Sequence, residues 1–376
     1  MRLSLRRPAA LAAAVAFLST ASFADRIYLA DGKSLDDVTI VNETLAGVAY
    51  RAAGKSNEQT VQADQVLKVE YDKNVPNLLR GALEELKGES PSRFQDAASG
   101  LFDYADGVLN SGKKEKAAWA PAYALHRAIE LNQALNSKAS TEEVVKLADL
   151  LLSKCGDSRY VPYAYVAKAN AQRDLGLAKE AGETVATLKE MVRTRAMSDA
   201  FRLQAELVEV ELSAAKSNQK RDRFIEIGGQ AGTGHPIVRN RARVLEAQTY
   251  LESESKDYAK ARKIYEAVIK DPKADDATLA SAYLGMGDCL FQEGADKLRA
   301  NGDASVVLKD AVLNYLRVVI VYEDQVRYVP KALYQAAKVF EFMGEANKPN
   351  ARRMLSELVR NYPDSEWASQ ARNSRK

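Results

Sequence analysis

Short apolar runs with alternating polar positions fill residues 25–74. Each of the five runs is rich in β-branched or aromatic residues: RIYLADGKSL, DVTIVNE, GVAYRAA, TVQADQ and VLKVEYD. Asp31-Gly32, Asn42-Glu43, Ala46-Gly47 and the polar tract GKSNEQT provide turns between them. The pattern predicts four or five antiparallel strands in a small β domain of SH3-like or Sm-like size. Two roles are open for this unit: it binds a peptide or glycan, or it caps the next part of the chain and docks onto it. We favour the second.

From Asn77 onward the period of the apolar positions changes from two residues to three or four. Alanine, leucine, glutamate, lysine and arginine dominate, and these are strong helix formers. The first periodic segments lie near 77–88, 92–110, 115–136 and 141–154. We therefore predict a mainly α protein, with degenerate helical hairpins over 77–158 and more regular helical repeats over 159–376.

The tetrapeptide RYVP occurs twice, at 159–162 and 327–330, and each copy opens a similar phrase that ends in glycine. The stretch 277–294 aligns with both copies when all three are counted back from that glycine. A large residue, a small residue four later and a glycine seven after that recur as Tyr165-Ala169-Gly176, Tyr283-Gly287-Gly294 and Leu333-Ala337-Gly344. This spacing predicts the first helix of a hairpin, with the glycine in a left-handed turn that ends it.

A second spacing marks the partner helix of each hairpin. A small residue is followed by a large one four later and an apolar one seven later, as in Ala181-Val185-Leu188, Ala261-Tyr265-Val268 and Ala311-Tyr315-Val318. These positions fall on one face of a helix. The chain is thus predicted to be built by repetition of one helical hairpin.

These spacings resemble the tetratricopeptide repeat, in which hairpins of about 34 residues stack into a right-handed solenoid. DYAKARKIYEAVIKDP is the most specific segment, and SELVRNYPDSEWASQAR is similar to the terminal repeats of periplasmic Tol-Pal-associated and outer-membrane-assembly members. The chain departs from the pattern in three ways. Twelve extra residues lie within ADKLRANGDASVVLKD, two extra lie around Asn347-Lys348-Pro349, and Lys168 and Gln172 occupy positions that are usually apolar.

The resemblance implies a concave surface lined by the first helices, where ligands of the family lie as extended peptides or helices. With Tyr165, Tyr283 and Leu333 at the packing position, the family's geometry assigns twelve positions to that surface. They are Tyr163, Val166, Asn170 and Arg173; Ser281, Leu284, Asp288 and Phe291; and Lys331, Tyr334, Lys338 and Glu341.

The first 24 residues have the layout of a bacterial secretory signal peptide. Arg2, Arg6 and Arg7 precede a short apolar run, and Ser22-Phe23-Ala24 places small residues before a cleavage point. The run is shorter than the ~20 residues that a membrane span needs. We expect cleavage before Asp25, a periplasmic or secreted protein, and no transmembrane segment after cleavage.

Removal of this segment leaves 51 basic and 51 acidic residues, because the whole chain has 54 and 51 and the segment holds three arginines and no acid. A neutral chain argues against nucleic acid as a partner. One local cluster is basic: Lys216, Lys220, Arg221, Arg223, Arg239, Arg241 and Arg243, with Asp222 and Glu226 nearby. It is either a set of solvated helix faces, the favoured interpretation, or a docking site for an acidic partner or an anionic polymer.

Few residues suit a reactive site. His126 and His235 have no cysteine or acid at metal-ligand spacing, and Cys155 and Cys289 have no adjacent histidine. We expect the two thiols to stay unpaired. The glycine-rich tract 228–236 lacks the GK[ST] ending of a phosphate-binding loop and is interpreted as an interhelical loop. No metal, cofactor or enzymatic activity is predicted.

Together these observations predict a non-enzymatic exported scaffold that binds a protein or peptide partner in the cell envelope. An alternative is a glycan- or peptidoglycan-associated binding protein, in which tyrosine-rich faces stack on sugar rings. Comparison of partner capture from envelope extract with sedimentation of cell-wall sacculi distinguishes the two.

Overall fold

The computed structural model describes residues 24–72, 75–84, 94–111, 117–135, 137–195, 197–253, 256–323 and 325–373. Apart from Ala24, the predicted signal peptide lies outside the described residues. The described part consists of a small β-sheet followed by helices, as the change of periodicity near residue 75 predicts.

The sheet contains five antiparallel strands in the order β4-β3-β2-β1-β5. The strands are β1 (Asp25–Leu29), β2 (Ser34–Thr44), β3 (Gly47–Ala52), β4 (Gln59–Gln62) and β5 (Val66–Glu70). Alternate apolar residues such as Ile27, Val38 and Ile40 are buried, whereas the residues between and beside them are partly or fully exposed. The predicted antiparallel β unit is therefore confirmed.

The rest of the described chain forms fifteen helices, which confirms the mainly α prediction. They are α1 (Asn77–Glu84), α2 (Phe94–Asn110), α3 (Ala120–Leu135), α4 (Lys138–Lys154), α5 (Val161–Asp174), α6 (Ala178–Thr194), α7 (Asp199–Leu212), α8 (Ser217–Ala231), α9 (Pro236–Glu252), α10 (Tyr258–Ile269), α11 (Asp276–Arg299), α12 (Ser305–Val321), α13 (Val329–Phe342), α14 (Lys348–Asn361) and α15 (Glu366–Asn373). Both RYVP copies precede a helix with proline in its first turn, α5 and α13.

Successive helices pack against each other, and the odd-numbered helices also contact one another. The contacts α3–α5, α5–α7, α7–α9, α9–α11, α11–α13 and α13–α15 form a continuous inner row. Each even-numbered helix from α4 to α14 packs against the odd-numbered helices before and after it, and these helices form a second, outer row. This is a helical-repeat arrangement, because each hairpin packs mainly on its neighbours in sequence.

Large rings of the outer helices pack onto small residues of the inner helices. Tyr265 of α10 and Tyr315 of α12 are fully buried. A Cβ atom at Gly287 of α11 would lie 2.6 Å from Tyr315 Cε1, and one at Gly285 would collide with the ring of Tyr265. The large residues of the second spacing thus fit against small residues of the facing helix, and this fit sets how closely neighbouring helices approach.

The closing glycines of the three aligned stretches do not share one role. Gly176 and Gly344 have φ of 79° and 94° and follow α5 and α13, as predicted for left-handed turns. The same spacing predicts that Gly294 ends its helix, and this prediction is wrong. The twelve extra residues extend α11 to Arg299, so Gly294 lies within the helix. Glycine is needed there because a Cβ atom would lie 2.5 Å from Leu308 Cδ2.

The polar departures from the repeat pattern are paired. Gln172 is buried, and its Oε1 accepts a hydrogen bond of 2.7 Å from Thr184 Oγ1 on the next helix. Lys168 Nζ lies 2.6 Å from Asp149 Oδ1 on the preceding helix. A polar contact between helices thus replaces the usual apolar one at both positions.

The sheet and the first helices share one hydrophobic core, which extends from Ile27 to Ala171. A buried ion pair between Glu43 of β2 and Arg159, just before α5, joins the two parts. The hydroxyl of Tyr71 donates to Glu43 and lies 2.9 Å from the Tyr160 hydroxyl, which accepts from Arg159 Nη2 at 2.7 Å. Burial raises the pKa of Tyr71 well above its ordinary value, so the group stays a neutral donor.

We expect replacement of Arg159 by methionine to lower the free energy of unfolding by about 3–5 kcal/mol. The physical reason is that the Glu43 carboxylate, whose side chain is 0% exposed, would lose its counter-charge inside the core. Urea unfolding of both chains, followed by circular dichroism, measures the difference.

The exposed pair Arg26–Asp36 in the same sheet provides the matched control, and Arg26→Met should leave the unfolding free energy nearly unchanged. The double replacement Glu43→Leu with Arg159→Met should recover stability relative to Arg159→Met, because no buried charge then lacks a partner. Equal midpoints for Arg159→Met and Arg26→Met would contradict the assigned role of the pair.

Candidate functional site

A groove of about 2370 Å³ follows the inner row of helices. Its walls come from the sheet, from α1, α3, α5, α7 and α9, from the first turns of α11 and the start of α13, and from the C-terminal ends of α12 and α14. Phe94 at the start of α2 packs against the core of the first helices and also against that of the last repeats, so both ends of the array border the groove. The groove is thus a concave surface made by many repeats, and no single repeat forms it.

The end of the groove nearest the sheet is aromatic. Tyr123 and His126 of α3 and Tyr163 of α5 line it, and each is partly exposed. The His126 ring stacks on Tyr160 with centroids 4.5 Å apart, and Tyr163 meets Phe201 edge-on at 5.8 Å. These rings hold one another in fixed orientations and present apolar surface to the groove.

The polar residues of the groove carry both signs of charge. Arg127 and Glu130 of α3 form a pair of 2.5 Å. Glu211 of α7 lies between Arg173 of α5, at 3.2 Å, and Arg241 of α9, at 3.9 Å. Charges of opposite sign alternate along the groove, and a partner that binds there meets fixed donors and acceptors on successive inner helices.

The predicted concave positions on α5 lie at this site. Tyr163, Val166 and Asn170 line the groove, although Asn170 is only 5% exposed. Arg173 lies at its margin and contacts the groove residue Glu211. Tyr163 also packs its ring on His126 and Phe201, so it is only partly available to a partner.

The four predicted positions on α11 do not share one environment. Ser281 lines the groove, in the first turns of the helix. Leu284 and Phe291 are each 6% exposed and belong to the core of the last repeats. Asp288 accepts a hydrogen bond of 2.7 Å from Tyr315 Oη.

On α13 the predicted positions contact neighbouring helices. Lys331 pairs with Asp288 of α11 at 3.0 Å. Tyr334 packs on Trp367 with centroids 5.4 Å apart, and the Lys338 ammonium lies 5.9 Å from the Phe291 ring centroid. Glu341 is exposed. The structure therefore places the α13 set between adjacent repeats and the α5 set in the groove.

The contributions of α3, α7 and α9 to the groove are not predicted by the sequence spacing. Gln204 of α7 and Ile237, Arg241 and Gln248 of α9 line the groove and are partly exposed. Segments 77–158 and 198–232, which hold α3 and α7, lack the repeat spacing, and the spacing is aligned only on α5, α11 and α13, so it assigns no groove position to α9. The available signal was a face of polar and apolar residues at intervals of four and seven, such as Ile237, Arg241 and Gln248.

The basic cluster is largely paired within the chain. Arg239 contacts Asp271 and Arg223 contacts Glu226, while the Arg221 guanidinium lies 3.8 Å from the Tyr250 ring centroid. Lys220 Nζ donates to the Glu211 carbonyl at 3.0 Å. These contacts favour the structural interpretation of the cluster over the docking one.

Cys155 and Cys289 are free thiols, as expected. Burial raises the pKa of Cys155 to about 11 and that of Cys289 to about 12, so both stay protonated near neutral pH. Within the described residues, no three His, Cys, Asp or Glu side chains lie close enough to hold a metal ion. None of the described helices is both long and apolar enough to cross a membrane.

Comparison with protein-family models and with curated proteins gave no match for this chain. The interpretation of the groove therefore depends on its own residues and geometry.

His126 predicts a pH dependence of stability. Burial lowers the pKa of its imidazole from 6.5 to about 4, although Glu130 Oε1 lies 3.5 Å from Nε2. The unfolded chain therefore binds the proton first as the pH falls, so stability from this group is present above pH 6.5 and is lost toward pH 4. The loss is at most about 3 kcal/mol.

The measurement is urea unfolding at pH 7 and pH 4.5 for the unchanged chain and for His126→Gln. Carboxylates titrate in both chains. The change in unfolding free energy between the two pH values therefore differs between the chains only by the contribution of the imidazole. A pH effect of the same size in the two chains would contradict this assignment.

Proposed function

We propose that this protein is a non-enzymatic exported scaffold that binds a protein or peptide partner in the concave groove of a tetratricopeptide-like helical array. The observation that carries the proposal is the continuous inner row from α3 to α13, which borders one groove of about 2370 Å³. A groove of this volume exceeds the ~300–1,000 Å³ typical of small-molecule sites. It suits an extended chain or a helix.

The chemistry of the groove supports the same class of partner. Partly exposed aromatic and aliphatic residues, such as Tyr123, Tyr163 and Ile237, lie among charged residues such as Glu130 and Arg241. Protein interfaces combine such aromatic and arginine contacts with polar surroundings. A peptide offers both apolar side chains and backbone donors and acceptors, and it can therefore satisfy both kinds of position.

A glycan-binding function is the second candidate, and one observation favours it. Tyr123 and Tyr163 present partly exposed rings at the end of the groove next to the sheet. Aromatic rings pack well on the apolar faces of sugars. Each of these two rings already packs on another aromatic ring, however, and the groove extends well beyond them, so we rank the protein or peptide partner first.

The decisive change is Ile237→Glu, which puts a charge on the partly exposed apolar wall of α9. We expect the immobilised chain to capture its partner from cell-envelope extract about tenfold less well, the loss typical of a weakened hot-spot contact. Quantitative mass spectrometry of the captured proteins measures the ratio.

The matched control is Ile225→Glu on α8, where the isoleucine is 49% exposed and does not line the groove. Its capture and its melting curve should equal those of the unchanged chain. Equal capture by both variants would contradict the groove as the binding site. Co-sedimentation with protein-free sacculi that Ile237→Glu abolishes would instead establish the glycan alternative.

Export is the second part of the proposal, and residue 25 supports the predicted cleavage point. The Asp25 carboxylate is 1% exposed and accepts hydrogen bonds of 2.8 Å from the backbone N–H groups of Ile40 and Asp72. Cleavage before Asp25 keeps this carboxylate, whereas cleavage after it would leave two amides without their acceptor.

We therefore expect N-terminal sequencing of the protein from the periplasmic or culture fraction to begin at Asp25. A chain with the signal segment removed genetically should remain in the cytoplasm. Recovery of the unprocessed chain in the cytoplasmic fraction of normal cells would contradict export.

A further inference from the structure

The outer face of α12 differs from the outer faces of the other outer-row helices. The exposed positions of α6, α10 and α14 carry charged, polar or small residues, for example Lys179, Glu183, Glu190 and Arg193; Lys260, Lys263 and Glu266; and Arg352, Arg353 and Arg360. In α12 the corresponding face carries Val306, Leu313, Ile320 and Val321, which are 68%, 53%, 67% and 59% exposed. Four exposed aliphatic residues on one helix cost hydration free energy unless another surface covers them.

These residues form one stripe along the helix. Val306, Leu313 and Ile320 recur every seven residues, and the spacing places them on one face. The opposite face, with Leu308, Tyr315 and Val318, is buried against α11 and α13. The helix is thus apolar on two sides, and the hairpin stack covers only one of them.

Three charged residues lie on this face, Lys309, Asp310 and Arg317, and the last two stand symmetrically within the stripe. Asp310 lies four residues after Val306, and Arg317 lies four residues before Val321. Asp310 is exposed and makes no ion pair with any described residue, whereas Arg317 packs over the Tyr283 ring at 5.0 Å. Asp310 and Arg317 therefore lie at nearly equal distances on either side of Leu313, with opposite sign.

We infer that α12 is a self-association surface, on which α12 of a second copy of this chain packs antiparallel about a two-fold axis near Leu313. In this register Asp310 of each copy faces Arg317 of the other, the two Leu313 side chains meet, and Val306 faces Val321. A two-fold interface requires such self-complementary spacing. A parallel arrangement would place like charges opposite each other and is disfavoured.

The expected association is weak. One helix face buries less than the ~800 Å² per partner of a standard interface, so the dimer should exchange and should depend on concentration. The surface is separate from the proposed groove, because none of the stripe residues lines it. Dimerisation would leave the groove of each copy free to bind a partner. A chain that fails to dimerise would therefore not contradict the groove proposal, and a chain that fails to bind in the groove would not contradict dimerisation.

The test is sedimentation equilibrium of the chain from Asp25 across a concentration series, with charge-swap variants. Asp310→Arg or Arg317→Asp alone places like charges across the axis and should weaken dimerisation at least about tenfold. The double variant Asp310→Arg with Arg317→Asp restores opposite charges and should dimerise like the unchanged chain. An equimolar mixture of the two single variants should form mixed dimers.

Lys263→Glu on the exposed face of α10 is the control and should dimerise normally. Leu313→Glu should give a monomer with an unchanged melting curve, because this side chain is half exposed and fills no core position. A chain that stays monomeric at the highest concentration reached would overturn the inference. A dimer that tolerates Leu313→Glu, or single and double charge variants that behave alike, would do so as well.

Discussion

The spacing between inner and outer helices is set by bulky side chains that need a gap on the facing helix. Tyr265 and Tyr315 fill gaps at Gly285 and Gly287, where a Cβ atom would collide with each ring. Ala169 and Ala337 provide the corresponding small positions on α5 and α13, and both are almost completely buried. Because each hairpin is fixed against the next by this fit, the inner helices form one continuous row, and the groove exists only as a consequence of that row.

The two ends of the array are covered by elements that differ from the hairpins in its middle. At the N-terminal end the sheet shares its core with the first helices, and the Glu43–Arg159 pair with Tyr71 and Tyr160 replaces the apolar contact of another hairpin. At the C-terminal end α15 covers α13 and α14. A repeat array requires such covers, because the outermost hairpin would otherwise expose an apolar face.

The sequence predicts the elements well because each depends on local periodicity. The five strands, the existence of the helices within 77–154 and the small-then-large packing positions all follow from spacing alone, whereas the predicted boundaries at 88, 92, 115 and 136 lie outside the described residues. The groove is harder to predict because it depends on how successive hairpins rotate, which no single helix encodes. Gly294 shows the limit: its spacing matched a helix end, but only the close approach of Leu308 reveals why glycine is needed within a longer helix. Leu284 and Phe291 likewise occupy nominal concave positions and are buried by the next repeat.

The buried ion pair also determines how this chain can fold. Contacts within and between neighbouring hairpins join residues close in sequence, so they form quickly and from several starting points. The Glu43–Arg159 pair instead joins residues 116 positions apart. Closing so long a loop costs chain entropy before any contact compensates for it. The N-terminal sheet therefore completes its core only after the chain through α5 is present.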